Sequence, residues 1–594
     1  MCRRRGSSSL FFVRTDPEAT TVTSDRWVAG LAVLSILVLA ATARCITLHD
    51  ARRDDGWHLS DGDSYYHLRR IEQTIERRGR VLMFDPWLAF PEGQRIQWHG
   101  GYDLVLAGLV AAACGGKPDR VCLTTVAAVS TPCLGVLATL LVLWLGWALG
   151  GRWVGLGAGF LFAAYPFSAG AAALGHVDHH VLEPLLLAAW FLLLIKKRPT
   201  GAGVVAGLSF AFFPSALLPV ASTVLALSTR RLLLGRRGDS DWRFVVAATL
   251  VLIPVVLTGP FPDTIEPAGV SLFHLLVMAA ASTAVVSSEV VVRVRRTLLA
   301  GLVPYLLCGL ALLFLIREHL ATLLRFGAVG GLWTGVVQQV PLGTTAASTV
   351  FVGLLLVAAC VATIAAGWRC HGGARVLVGL TAVPLVMAGA LQIRFLPMCG
   401  ALLCPVFAKV VLDCARSLQR RTRDRRPRTR RLALAVVGGL MVLTLVPLRE
   451  YLFMRPGDEY GMEDGIRLLR RLGARGPGAE AVLADWVWGH HILWFARRPA
   501  VASPFILSGR DSANVAVRRA LLGGSVDDLL GLMTRRRARF LLVAPRFNPR
   551  DAARSIGIEL VHQAVFGDLV SGVGARGLRL VDRAGNTMLY QRVP

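Results

Sequence analysis

The chain has 594 residues, 54% of them hydrophobic, and a formal net charge of +27. So large an apolar share excludes a soluble globular protein and points to many membrane crossings. The positive charge collects in short loops between apolar runs, as the positive-inside rule expects. RNP, zinc-finger and basic-zipper signatures are absent, so nucleic acid is set aside.

In chain order, residues 1–26 form a polar, basic cytoplasmic segment and 27–48 the first predicted span. Arg44 in its last turn is placed to snorkel to the interface. No small-residue cleavage site follows, so the span reads as an uncleaved anchor. A long, mostly polar external loop occupies 49–118. Further spans are predicted near 122–149, 154–173, 181–195, 202–213, 215–227, 244–257, 270–286, 298–316, 350–366, 376–390, 395–412 and 432–446. That makes about thirteen, at roughly 20 residues for each full crossing. The pair broken by Pro214 is short. Counting it as one span would invert every later loop, so it is kept as two. The basic loops 196–198, 230–237, 293–296, 369–375 and 416–431 then share the cytoplasmic side.

The odd span count leaves the tail outside the cytoplasm. Strands are predicted at 481–483, 540–543, 578–581 and 587–590, and helices at 466–472, 515–522 and 526–536. The predicted fold is therefore a polytopic α-helical membrane protein, with a membrane domain over 27–447 that includes an external loop at 317–349. A mixed α/β extracytoplasmic domain follows at 448–594. The eleven cysteines show no CxxC pair and read as small apolar packing residues, not a disulfide framework.

Five segments on the external face carry chemistry. The densest is Gly175-His176-Val177-Asp178-His179-His180-Val181-Leu182-Glu183-Pro184, between two apolar runs. Ionisable groups at a membrane boundary are costly and mark a functional site. Asp178 and His180, two residues apart, could hold one cation, and oxygen-plus-imidazole ligation suits Mn²⁺ or a related ion better than Ca²⁺. The bland alternative is a polar turn with a helix-capping Asp. Asp61-Gly62-Asp63, just outside the first span, has the same two readings. Phe90–His99, Gly331–Leu342 and Gln392–Pro397 complete the set. In the last, Arg394 either snorkels or clamps a phosphate.

Together these motifs resemble the catalytic subunit of the oligosaccharyltransferase family, and most of all its single-subunit archaeal and bacterial members. These are membrane enzymes of the GT-C type that move a glycan from a polyprenyl carrier to asparagine. The resemblance implies Asp63, Asp178 and His180 as ligands of Mn²⁺ or Mg²⁺, and Arg394 as the group that meets the donor phosphate. It places Trp486, Val487, Trp488 and Gly489 where the family's Trp-Trp-Asp-Tyr-Gly motif meets the acceptor. Two positions depart from the family. Gln338 stands where a loop Glu, three residues before a Pro, joins Asp63 and Asp178 in catalysis. Val487 stands where an Asp receives the hydroxyl of the Ser/Thr after the acceptor Asn.

The implied function is transfer of an oligosaccharide from a polyprenyl-diphosphate carrier to asparagine of exported proteins, at a bacterial plasma membrane. The expected partners are the lipid-linked donor, an acceptor polypeptide and membrane lipids. Three rivals stay open: transfer from a polyprenyl phosphate to a hydroxyl or a lipid-linked glycan, polyprenyl-lipid transport, and a non-catalytic paralogue. His99, His176 and His179 are expected to support the site, not to ligate.

Overall fold

A computed structural model describes residues 19–54, 56–234, 241–265, 269–294, 378, 381–382, 396–421, 462–476, 478–505, 512–544, 565–571 and 575–593. Predicted spans at 298–316, 350–366 and 432–446, most of that at 376–390, and the loop at 317–349 lie outside these residues.

Helix α1 (Ala19–Cys45) is followed by α2 (Gly62–Glu76), α3 (Gly101–Cys114), α4 (Arg120–Gly150), α5 (Arg152–Ala163), α6 (Leu182–Ile195), α7 (Pro199–Ser209), α8 (Leu217–Leu234), α9 (Trp242–Thr258), α10 (Leu272–Val294) and α11 (Leu396–Arg421). Three stretches, Trp27–Cys45, Arg120–Gly150 and Leu396–Arg416, are long and apolar enough to cross a membrane. With the shorter apolar helices packed around them, they make this an integral membrane protein. Small residues let α4 and α5 approach closely: a Cβ on Gly155 would meet the Leu143 carbonyl oxygen at 2.8 Å, and one on Gly146 would meet Ala158 at 2.7 Å.

Four details differ from the expectations. The predicted span 154–173 is interrupted, because Pro166 holds Tyr165 extended and a short helix, Pro166–Ala171, starts afresh. The supposedly polar external loop contains the apolar helix α3, whose Leu104, Val105 and Leu109 are exposed. Arg44 does not snorkel. It is fully buried and donates to the Ala40 carbonyl and to Ser168 Oγ, both at 3.0 Å. Finally, Cys114 and Cys122 form a disulfide across the α3–α4 turn. Helix ends eight residues apart bring their Cα atoms to 6.1 Å, within bridging range.

In the tail, strands β1 (Ala481–Leu483), β2 (Ala538–Val543), β3 (Leu578–Ala584) and β4 (Thr587–Arg592) form a sheet ordered β1-β2-β4-β3. β1 and β2 are parallel and the rest antiparallel. The β3–β4 hairpin turns on Gly585-Asn586, with Gly585 at φ +51°, a tight turn of the kind that favours glycine. Alternate strand residues Leu541, Val543, Met588 and Tyr590 face α13 (Ser512–Leu522) and α14 (Val526–Arg535), preceded by α12 (Met462–Ala474). The Ser525/Asp528 capping box starts α14.

Segment 84–100 stitches this unit to the membrane helices. Phe90 N–H donates to the Ala500 carbonyl at 3.1 Å, and Ala500 N–H to that of Trp87 at 2.8 Å. The Gln94 amide donates to the Phe505 carbonyl and accepts from Ser503 Oγ, both at 2.7 Å.

Candidate active site

Helix α2 is aimed by its own first turn. Asp61 is the N-cap and its Oδ1 accepts from Ser64 N–H at 2.7 Å. Of the two aspartates in Asp-Gly-Asp, the first therefore serves the helix and leaves Asp63 for other work. Asp63 is 42% exposed and its Oδ1 lies 3.1 Å from His490 Nδ1. Its neighbour Ser64 accepts from Val177 N–H at 3.0 Å, which clamps α2 to the histidine-rich loop.

That loop is built around Asp178. One carboxylate oxygen faces His179 Nδ1 at 2.7 Å and His67 Nε2 at 3.7 Å. The other faces His176 at 3.7 Å and His180 at 3.8 Å. Four imidazoles thus ring one buried carboxylate. Burial opposes its ionisation, yet His180 and His179 hold the Asp178 carboxyl well below the usual range.

His67 lies one helical turn after Asp63, on the same face of α2. Its other nitrogen, Nδ1, is 2.6 Å from Asp103, which also pairs with Arg70 at 2.6 Å. An ionised Asp103 only accepts, so Nδ1 carries a proton and Nε2 is presented to Asp178 and His179. Burial disfavours charge on His67, but Asp103 and Asp178 outweigh it and hold the imidazole up to about 9, so a cation binding there would displace the proton on Nε2. His179, by contrast, is pushed down by burial.

The donor atoms of His67, Asp178 and His179 all lie within 4.8 Å of one another. Two imidazoles and a carboxylate at that spacing fit a first-row divalent cation, and Asp103 behind His67 supplies the supporting carboxylate such sites use. His180 reaches the same carboxylate from its other side, with its Nδ1 held 2.7 Å from Glu183.

Segment 485–491 stands against α2. His490 is stacked on Tyr66 with centroids 4.5 Å apart, and Tyr65 meets His491 at 5.3 Å. Trp486 and Trp488 are buried and Val487 is half-buried between the membrane core and the tail core. A Cβ on Gly489 would strike the Ala502 carbonyl oxygen at 2.5 Å, so only glycine fits there. Asp485 does not replace the carboxylate missing at Val487. Its Oδ2 is 2.8 Å from buried Arg518 and its Oδ1 accepts from Val487 N–H.

The structure thus gathers His67, His176, His179 and His180 around Asp178, and places Asp63, one turn before His67 on α2, against His490. The candidate cation cluster is His67, Asp178 and His179 and includes neither Asp63 nor His180. Gln338 and Arg394 lie outside the described residues. His67 and Asp103 were not singled out from sequence. Only the four-residue step from Asp63 to His67 hinted at either of them.

The architecture matches solved archaeal oligosaccharyltransferases. Over 87% of this chain and 69% of the other, it superposes with TM-score 0.70 on AglB from Archaeoglobus fulgidus in complex with an inhibitory peptide and a dolichol-phosphate, at 16% identity. The chain has the oligosaccharyltransferase fold. A second A. fulgidus structure with this fold, a complex with Zn and sulfate, matches with TM-score 0.67 and 16% identity over 86% of this chain and 67% of that one.

Sequence relationship to the oligosaccharyltransferases is more local. A dolichyl-phosphooligosaccharide-protein glycotransferase of A. fulgidus is 28% identical over 227 residues, 37% of this chain and 35% of the relative. The AglB dolichyl-monophosphooligosaccharide-protein glycotransferase of Haloferax volcanii is 28% identical over 158 residues, 26% of this chain and 15% of its own length. The matched stretches therefore span well under two thirds of these relatives. No protein-family model matches.

Proposed function

We propose that the protein transfers an oligosaccharide from a polyprenyl-linked phosphate or diphosphate carrier to asparagine of exported polypeptides. The observation that carries this reading is that α2 joins three distant segments: His67 reaches the Asp178 histidine ring, Ser64 holds Val177, and Asp63 meets His490 of segment 485–491. A divalent cation bound there would neutralise charge on the leaving phosphate and orient the acceptor. Asp178 is common to both candidate ligand sets, with Asp63 and His180 or with His67 and His179. The wealth of imidazole favours Mn²⁺ over Mg²⁺, which prefers oxygen ligands.

Asp63, the exposed carboxylate, would accept a hydrogen bond from the acceptor amide NH₂ and draw its lone pair out of conjugation. His490 would hold Asp63 in place for that contact. Arg394 would meet the donor phosphate, and Gln338 would offer an amide oxygen where the family has a carboxylate. The membrane domain over 27–447 and the extracytoplasmic domain over 448–594 would share this site at the outer face of a plasma membrane, with the N-terminus inside.

Val487 favours a second reading, in which the acceptor is a hydroxyl or a lipid-linked glycan. No side-chain oxygen stands at position 487, and Asp485 is committed to Arg518.

The test is transfer in vitro. Purified protein in detergent meets donors with one or two phosphates, a peptide library and a hydroxyl-bearing glycolipid, with Mn²⁺ or with chelator. Metal-dependent glycan on Asn, read by mass spectrometry, is the expected result. Glycan only on hydroxyls would overturn the asparagine assignment, and no transfer from any donor would overturn the enzymatic one.

A further inference from the structure

On the other side of α2 from Asp63 a cleft of about 430 Å³ opens between α2, α4 and the tail. Tyr65 lines it, two residues after Asp63 and so on the opposite helix face. The lining carries four guanidiniums, of Arg52, Arg120, Arg470 and Arg497, and no carboxylate among the described residues. Glu72 stands beside the cleft and pairs with Arg120 at 3.5 Å and Arg497 at 3.7 Å.

Aromatic rings hold three of these groups in place. Arg120 lies 4.2 Å over Trp494, Arg470 5.2 Å over Phe495 and Arg52 5.6 Å over Trp57. Stacking on a ring face keeps the guanidinium plane fixed and its N–H edges in plane, and Arg120 Nη1 also donates to the Trp494 carbonyl at 3.2 Å. Four guanidiniums against the one carboxylate of Glu72 leave the cleft with an excess of positive charge, and planar forked donors match the oxygens of phosphate.

The position of the cleft narrows the source. Arg120 is the first residue of the 31-residue apolar helix α4, and Val121 next to it is 63% exposed. An exposed apolar side chain there marks the start of lipid contact, so the cleft sits at the level of the phosphate groups of a bilayer. Arginines on this face also run against the preference for cytoplasmic loops, which argues that they are kept for a ligand.

We propose that this cleft is a binding site for the phosphate of an anionic phospholipid head group, separate from the Asp178 centre. The assignment does not rest on glycan transfer, and its test uses none.

The full chain is reconstituted in nanodiscs of phosphatidylcholine with a minor share of phosphatidylglycerol, then extracted gently. Retained lipid is read by native mass spectrometry. The expected result is preferential retention of phosphatidylglycerol, cut roughly tenfold in Arg120→Gln/Arg497→Gln, since charged hydrogen bonds are lost. Glu72→Gln removes the opposing carboxylate and should raise retention by about threefold, an increase that a damaged fold would not produce. Equal retention of the two lipids, or the same retention in all three proteins, would overturn the site. Inorganic phosphate binding to the wild type with no preference among lipids would overturn the lipid assignment in favour of a soluble phosphate compound.

Discussion

Asp103→Asn isolates the support behind the histidine ring. Asp103 is fully buried and its two oxygens are divided between His67 Nδ1 and Arg70, each at 2.6 Å. The asparagine oxygen can serve one of them, while its NH₂ is turned toward the other donor. Two costs follow. Leaving buried Arg70 without a countercharge should lower stability by about 3–5 kcal/mol. Releasing His67 from its fixed tautomer should weaken Mn²⁺ binding by roughly 10–100-fold, or about 1.4–2.7 kcal/mol. Calorimetric titration of chelator-treated protein in detergent measures the second, and thermal melting confirms that the variant is folded. A folded Asp103→Asn protein with wild-type Mn²⁺ affinity would refute a ligand role for His67. If His180→Gln then abolished binding, the cation would sit on Asp63, Asp178 and His180 alone.

His490→Phe preserves the ring stacked on Tyr66 but removes the bond to Asp63. The rate at saturating acceptor should fall at least tenfold with little change in melting temperature, and a rate equal to wild type would free Asp63 from dependence on the tail. Val487→Asp restores a carboxylate to the acceptor motif. One charged hydrogen bond should lower the KM for Asn-x-Thr peptides about tenfold and leave peptides lacking the hydroxyl unchanged, as transfer kinetics would show. Burial opposes ionisation of Asp61, but His176 and the Ser64 N–H bring its carboxyl down to about 2. Because that lies below the unfolded value, the stabilisation is present above roughly pH 4 and lost as pH falls through 2. The advantage of wild type over Asp61→Asn, about 2 kcal/mol near neutrality, should vanish on acidification in equilibrium unfolding.

Most helices were legible in the sequence because apolar runs of membrane length have few alternatives. The tail strands were legible because short apolar runs lie between turn residues. The interruption at Pro166 and helix α3 were missed for opposite reasons: one apolar run hid a break, and one polar segment hid an apolar helix. The Cys114–Cys122 pair flanks the turn Gly115-Gly116-Lys117-Pro118-Asp119. It would have been visible had each cysteine been read with its neighbours and not by composition. At the site, Asp63 and Asp178 stood out through local clustering of charge. Asp103 did not, since its partner His67 lies 36 residues away, and neither did the contact between His490 and Asp63, which spans 427. No spacing rule reaches across such intervals. A buried carboxylate in an apolar helix and a histidine beside a glycine look ordinary until the chain folds back.

The stitching of segment 84–100 and α2 to residues 485–505 bears on how the protein comes into being. Asp63 leaves the ribosome hundreds of residues before His490, and Gln94 long before Ser503. A nascent chain with its early helices already inserted therefore carries Asp63 and Gln94 before the partners that hold them exist. If the proposed function holds, a chain cut short before residue 485 would lack both the contact of Asp63 with His490 and the support of Gln94 on Ser503 and Phe505.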